Sequence, residues 1–138
     1  MGLVYADVEL INGIDIALAK RHMIGEEEVK RIHVDILVDT GSYMLAINEN
    51  IKEQLQLPVV EMRKAQTATG QIVECEVVDP VELKFKNRRT SCNAIVLPGD
   101  AEPLLGTIPL EDMDVLIHPL RNELIVNPEH PYFAQMKM

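Results

Sequence analysis

The sequence predicts an all-β domain, a barrel or sandwich with one or two short helices, and three observations carry that prediction. Apolar and polar residues alternate with period two through most of the chain, as strands with one buried face require. Turn-forming residues recur at short intervals, at Asn12-Gly13, Thr69-Gly70, Asp79-Pro80, Asn87 and Pro98-Gly99-Asp100. Helical spacing is confined to two short stretches, so strands and helices do not alternate as a doubly wound sheet demands.

Taken in order, residues 3–10 predict a first strand through Leu3, Tyr5, Val8 and Leu10, with one fault in phase. Asn12-Gly13 predicts a turn, and residues 14–20 a second strand, since Ile14, Ile16 and Leu18 keep the alternation. After the acidic loop Gly25-Glu26-Glu27-Glu28, residues 29–38 predict a longer strand. Its end, Ile36-Leu37-Val38, is apolar on both faces and so buried on both. Asn48 is predicted to cap a short helix carrying Ile47, Ile51 and Leu55 on one face and stopped by Pro58. Strands are predicted over 59–65, 71–78, 81–86 and 91–97. After Leu104-Leu105-Gly106, Thr107 and Pro109 suit the cap and first turn of a second short helix. Residues 115–118 and 124–126 predict a closing hairpin around Arg121-Asn122. No repeat or linker interrupts the pattern, so residues 1–127 read as one domain and 128–138 as a C-terminal tail.

Composition narrows the function classes. With 138 residues, 47% of them hydrophobic, the chain builds a core without disulfide or metal staples. Thirteen basic residues against 22 acidic ones give a net charge of −9, which repels phosphate backbones and anionic lipid and argues against nucleic-acid and membrane partners. Cys75 and Cys92 fall in predicted strands and are expected as buried thiols, a disulfide being the less favoured reading. His22, His33, His118 and His130 have no pair at ligand spacing, so neither a metal nor another cofactor is expected. The first residues alternate in polarity without a basic segment and apolar run, and no stretch reaches the length of a membrane span; a cytoplasmic location is the expectation.

The chemistry concentrates at Asp39-Thr40-Gly41-Ser42. An acid placed directly after a doubly buried strand is costly unless a site uses it. Three landmarks follow in order: Leu37-Val38-Asp39-Thr40-Gly41-Ser42, a hairpin tip at Ala68-Thr69-Gly70-Gln71, and Leu104-Leu105-Gly106. In these the chain resembles the retropepsin-like aspartic proteases, above all their small prokaryotic single-lobe members, over about residues 3–127.

The resemblance implies an acid-protease barrel with its active site on a homodimer two-fold axis. It implies aspartic endopeptidase activity on a peptide or protein substrate, with Asp39, Thr40, Gly41 and Ser42 as the catalytic loop. Thr69 and Gly70 of a flap, with Leu105 and Gly106, are the implied substrate-binding residues. Thr40 resembles the family threonine whose hydroxyl reaches the partner's backbone. Ser42 stands where many viral members carry Ala, and its hydroxyl is expected to hydrogen-bond Asp39, lowering the apparent pKa of the pair and giving an acidic optimum. Tyr43, Met44, Ile47, Ile72 and Leu105 are apolar candidates for lining side-chain pockets. The flap departs from the family pattern in lacking a doubled Gly and an aromatic, and Thr107 follows Gly106 where many relatives have Arg, Asn or Asp.

Hydrolysis by carboxyl groups needs two of them, one taking the water's proton and one polarising the carbonyl. The chain holds a single Asp-Thr-Gly, and Asp35, on the same strand face, is about 13 Å away. The second carboxyl is therefore expected from a second copy. A competing expectation is a dimeric peptide- or protein-binding module of the same fold without catalysis. Ser42 lacks a Gly-x-Ser-x-Gly context, and Asp35/Asp39 fail the spacing of aspartyl-phosphate enzymes.

Overall fold

The computed structural model describes residues 2–138. Its strands are β1 (Tyr5–Asn12), β2 (Arg31–Val38), β3 (Leu45–Asn48), β4 (Val59–Gln66), β5 (Ile72–Phe85), β6 (Arg88–Leu97), β7 (Leu104–Leu105), β8 (Val115–His118) and β9 (Glu123–Val126). Three short helices, α1 (Gly13–Lys20), α2 (Glu49–Leu55) and α3 (Thr107–Met113), and a 3-10 turn at Glu26–Glu28 complete it. The fold is all-β, as predicted. Seven strands form one sheet in the order β1-β2-β7-β3-β6-β5-β4. Because β1 also pairs with β5, at Glu9↔Lys84 through Asn12↔Val81, six of the seven close into a barrel and β4 is left outside the ring.

The core follows from strand alternation. Val8 and Leu10 of β1, Ile36 of β2, Leu45 and Ile47 of β3 and Leu83 of β5 point inward and are essentially inaccessible. Each such side chain contributes about 1.5–3 kcal/mol by leaving water. Leu55 and Met113 bring α2 and α3 onto the same cluster.

One predicted strand is a helix. Residues 14–20 alternate as a strand would, but they form most of α1, because Asn12 caps it: its Oδ1 accepts from the N–H of Ile14 (2.9 Å) and Asp15 (3.2 Å). Asp15 turns inward onto Lys30, which donates from both its backbone N–H and its Nζ. The cap and this ion pair override a weak alternation in a segment whose Ala17, Leu18, Ala19 and Lys20 are good helix formers. A second difference lies at Asp79-Pro80, predicted as a turn between two strands. Strand β5 runs through it, and the register against β6 shifts between Val78 and Val81. Pro80 has no N–H to give a ladder, so it sits in the irregularity, and the two halves of β5 serve different neighbours, β4 before and β1 after.

Residues 128–138 have no regular secondary structure, yet they are fastened to the barrel. Asp114, which ends α3 in a left-handed conformation, accepts from Asn127 Nδ2 (3.0 Å) and Gln135 N–H (3.0 Å) and pairs with His130 Nδ1 (2.6 Å). Asn87 Nδ2 donates to the Pro131 carbonyl (2.9 Å), and buried Arg88 donates to that of His130. The two cysteines are free thiols, Cys75 buried and Cys92 partly so; burial pushes the Cys92 thiol up to about 12.

Candidate active site

The Asp39 loop is built by a parallel strand pair. Leu37 and Val38 of β2 lie beside Leu104 and Leu105 of β7, and the ladder continues one step as the Asp39 N–H donates to the Leu105 carbonyl (2.9 Å). The chain then turns back on itself. The Ser42 N–H donates to the Asp39 carbonyl (3.1 Å), and the Gly41 N–H donates to Asp39 Oδ1 (2.9 Å). A main-chain donor on a carboxylate oxygen fixes the side chain's rotation.

The start of α3 holds the other side of the loop. The Thr107 N–H donates to the Ser42 carbonyl (2.8 Å) and that of Ile108 to the Tyr43 carbonyl (2.9 Å). These are donors that a helix leaves unpaired at its N-terminus, here satisfied by the loop instead of by a side-chain cap. The approach requires Gly106, since a Cβ there would stand 2.6 Å from the carbonyl carbon of Tyr43. Thr107, predicted as the cap, is the first helical residue, with Gly106 in the cap position.

The structure thus brings Asp39, Thr40, Gly41 and Ser42 together with Leu105 and Gly106. Leu105 takes part through its carbonyl, while its side chain is fully buried (0% exposed) in the core, as is that of Ile47 (0%). Neither lines a surface pocket. Ser42 joins the loop through its main chain, and among the described residues its hydroxyl makes no hydrogen bond to Asp39. Thr40 and Gly41 are exposed at the surface.

Thr69 and Gly70 lie apart from that assembly, at the tip of the β4–β5 hairpin. The tip is closed by Thr67 N–H to the Gln71 carbonyl (2.8 Å) and Gly70 N–H to the Thr67 carbonyl (2.9 Å), with Gly70 at φ +86°. The hairpin has two distinct faces. Register places Arg63 opposite Cys75 and Ala65 opposite Val73 on one face; Met62 lies opposite Glu76 and Gln66 opposite Ile72 on the other. The first face turns toward the Asp39 loop, where Arg63 Nη1 meets Met44 Sδ at 3.6 Å. The second turns toward α2, where Glu76 pairs with Lys52 at 2.8 Å. Ile72, expected in a pocket, belongs to this second face, away from the Asp39 loop, and is 64% exposed. Arg63 was not singled out in the sequence; the signal that points to it is its register two residues from Glu61 and opposite Cys75.

Two clefts flank the barrel. An apolar groove of about 300 Å³ begins at Thr40 and runs between Leu110 of α3 and Val115–Ile117 of β8. A larger one, about 490 Å³, lies over the outer face of β1, bordered by Asp7, Glu9, His33, Lys84 and Lys86, and contains none of the Asp39 loop. Within it His33 lies 3.6 Å from Asp7 and 3.5 Å from Glu9. The Asp39 loop lies at the smaller groove's end of the molecule.

A closed β-barrel that presents an Asp-Thr-Gly loop against an apolar-apolar-Gly strand end has the fold and loop arrangement of a retropepsin-like aspartic protease. The comparison with protein families names the same class: residues 24–122 match the family described as Aspartyl protease, and the chain belongs to it. The matched span runs from the segment before β2 to the turn before β9, so it contains the Asp39 loop, the β4–β5 hairpin and β7. No curated protein matches the chain. No helix is long and apolar enough to cross a membrane.

Proposed function

We propose that the protein is an aspartic endopeptidase that acts as a homodimer, with Asp39 of each copy supplying one of two carboxyl groups around a single water. The observation that supports this most is the fixing of Asp39. Its N–H is engaged by the Leu105 carbonyl of β7 and its carbonyl and Oδ1 by N–H groups of the loop, while Oδ2 makes no hydrogen bond among the described residues. A carboxylate so held has its rotation fixed and one oxygen left open to a water. One chain provides only one such group, and two are needed.

In the proposed reaction the ionised Asp39 takes a proton from the water as its oxygen attacks the carbonyl carbon of an extended peptide. The protonated Asp39 of the other copy gives its proton to the carbonyl oxygen. The tetrahedral diol then collapses: the carbon–nitrogen bond breaks, the leaving nitrogen takes a proton from the first Asp39, and a diol hydroxyl returns one to the second. Two like charges so close cannot both be ionised, so one proton is shared across the pair.

The groove at Thr40 supports the dimer. Beside it Ile108 is 56% and Leu116 37% exposed, so apolar side chains are available next to the loop that would lie on the axis. The β4–β5 hairpin serves as the flap, closing over a peptide that binds as an added strand.

The test is hydrolysis of a denatured protein between acid and neutral pH, with and without a pepstatin-like inhibitor, by the wild type and Asp39→Asn. Inhibitor-sensitive cleavage that the substitution abolishes is expected. Cleavage that survives the substitution contradicts the reading, and absence of cleavage under every condition favours a binding module of the same fold.

A further inference from the structure

The geometry points to Arg63 as a specificity-determining residue: on the flap face that turns toward the Asp39 loop, its guanidinium selects substrates carrying a carboxylate side chain at one position flanking the scissile bond. The inference rests on the proteolytic reading of the Asp39 site and adds to it the chemistry of the preferred peptide.

Three features of Arg63 support it. First, its place is set by strand register, because the face it shares with Ala65, Val73 and Cys75 is the one that meets Met44. Met44 lies in the backbone stretch against which Gly106 packs, so Arg63 reaches to the edge of the Asp39 loop. An extended peptide lying between flap and loop sends alternate side chains toward that face.

Second, the guanidinium is oriented but not used up. Nε donates to Glu61 Oε1 at 2.7 Å, which holds the plane of the group. Nη1 rests on the Met44 thioether, a weak acceptor that a carboxylate displaces. Among the described residues Nη2 makes no hydrogen bond. The paired Nη1 and Nη2 edge is the fork that a carboxylate engages through two parallel hydrogen bonds.

Third, Arg63 is the one cation on its face of the hairpin, where Ala65, Val73 and Cys75 are uncharged and Glu61, two residues before it, is the acid that pairs with its Nε. Lys64, the neighbouring base, lies on the opposite face, across from Glu74. The molecule as a whole carries −9, so its long-range field disfavours acidic peptides. A preference for acid at one position, and not along the whole peptide, is therefore the mark of a local cation.

The experiment uses octapeptides with a central apolar pair in which each flanking position in turn is Glu, Gln or Lys. Cleavage gives kcat/KM in the wild type, Arg63→Gln and Arg63→Glu. Binding by fluorescence anisotropy is measured in parallel on the Asp39→Asn background, so the inference is tested whether or not the protein cuts. Glu at one position is expected to exceed Gln by about fivefold or more, to lose that advantage in Arg63→Gln, and to yield to Lys in Arg63→Glu. The inference is overturned if no position prefers Glu, or if the preference persists in Arg63→Gln. Failure of cleavage with the binding preference intact contradicts the proteolytic reading alone.

Discussion

Gly106 packs flat against the peptide joining Tyr43 to Met44: a Cβ built on it would lie 2.6 Å from the Tyr43 carbonyl carbon and nearer still to the Met44 carbonyl oxygen. The obstacle is backbone on both sides, so no side-chain rotation relieves it. Gly106→Ala is expected to cost about 1–3 kcal/mol and to push α3 off the Asp39 loop, reducing activity beyond the loss in folded protein. Gly70→Ala is the contrast. Space around Gly70 is open but its φ is +86°, so the cost is about 1 kcal/mol of local strain confined to the hairpin tip. Urea unfolding of the two variants checks the ranking; equal stabilities would contradict it.

Asn12 and Asn48 each do two jobs. Asn12 Oδ1 caps α1 while its Nδ2 donates to the Leu55 carbonyl at the end of α2 (2.8 Å). Asn48 Oδ1 caps α2 by accepting from Ile51 N–H (2.9 Å), and its Nδ2 donates to the Ala101 carbonyl (2.9 Å). Substitution by Ala at either site removes a cap and leaves a carbonyl without its donor, an expected loss of about 2 kcal/mol. Exposed Asn50, whose one contact is 3.5 Å from Asp100, is expected to tolerate Ala within about 0.5 kcal/mol. Chemical denaturation of the three variants decides.

The two asparagines also mark what the sequence does and does not disclose. Asn48 reads as a cap because Ile51, Leu55 and Pro58 follow at helical spacing. Asn12 reads as a turn because Gly13 follows it, and its tie to Leu55 is a contact between residues 43 apart that no local pattern reports. The Asp39 loop is legible for the same kind of reason that Asn48 is: a doubly apolar strand end, an acid and a glycine lie consecutively. The facing of the β4–β5 hairpin is not, since the side toward the loop depends on a register spanning β4 and β5. Nor is the clasp on the tail, which joins Asp114 to Asn127, His130 and Gln135 through bonds no alternation encodes.

Hydrogen bonds from Asn127 and from the Gln135 N–H, together with the His130 ring, hold the Asp114 carboxyl down from 3.8 to about 2. A carboxyl whose folded value is depressed stabilises the fold above its ordinary value and loses that contribution as pH falls through the folded one. The clasp is therefore expected to stay closed under mildly acidic conditions and to open between about pH 4 and about pH 2. Asp114→Asn should lower Tm at neutral pH and flatten its acid-side fall within that window. A Tm profile that parallels the wild type throughout would show that the clasp carries no such linkage.

The central claim is that two Asp39 carboxyls from two copies make one site, and subunit mixing tests it most directly. Wild type and Asp39→Asn are combined at constant total protein, allowed to exchange, and assayed for peptide cleavage. With equal parts of each, random pairing leaves about a quarter of the dimers with both carboxyls, so activity is expected at about a quarter of the all-wild-type value and to follow the square of the wild-type fraction. Activity that instead falls in direct proportion to the wild-type fraction, to about a half at equal parts, would mean that a single chain suffices.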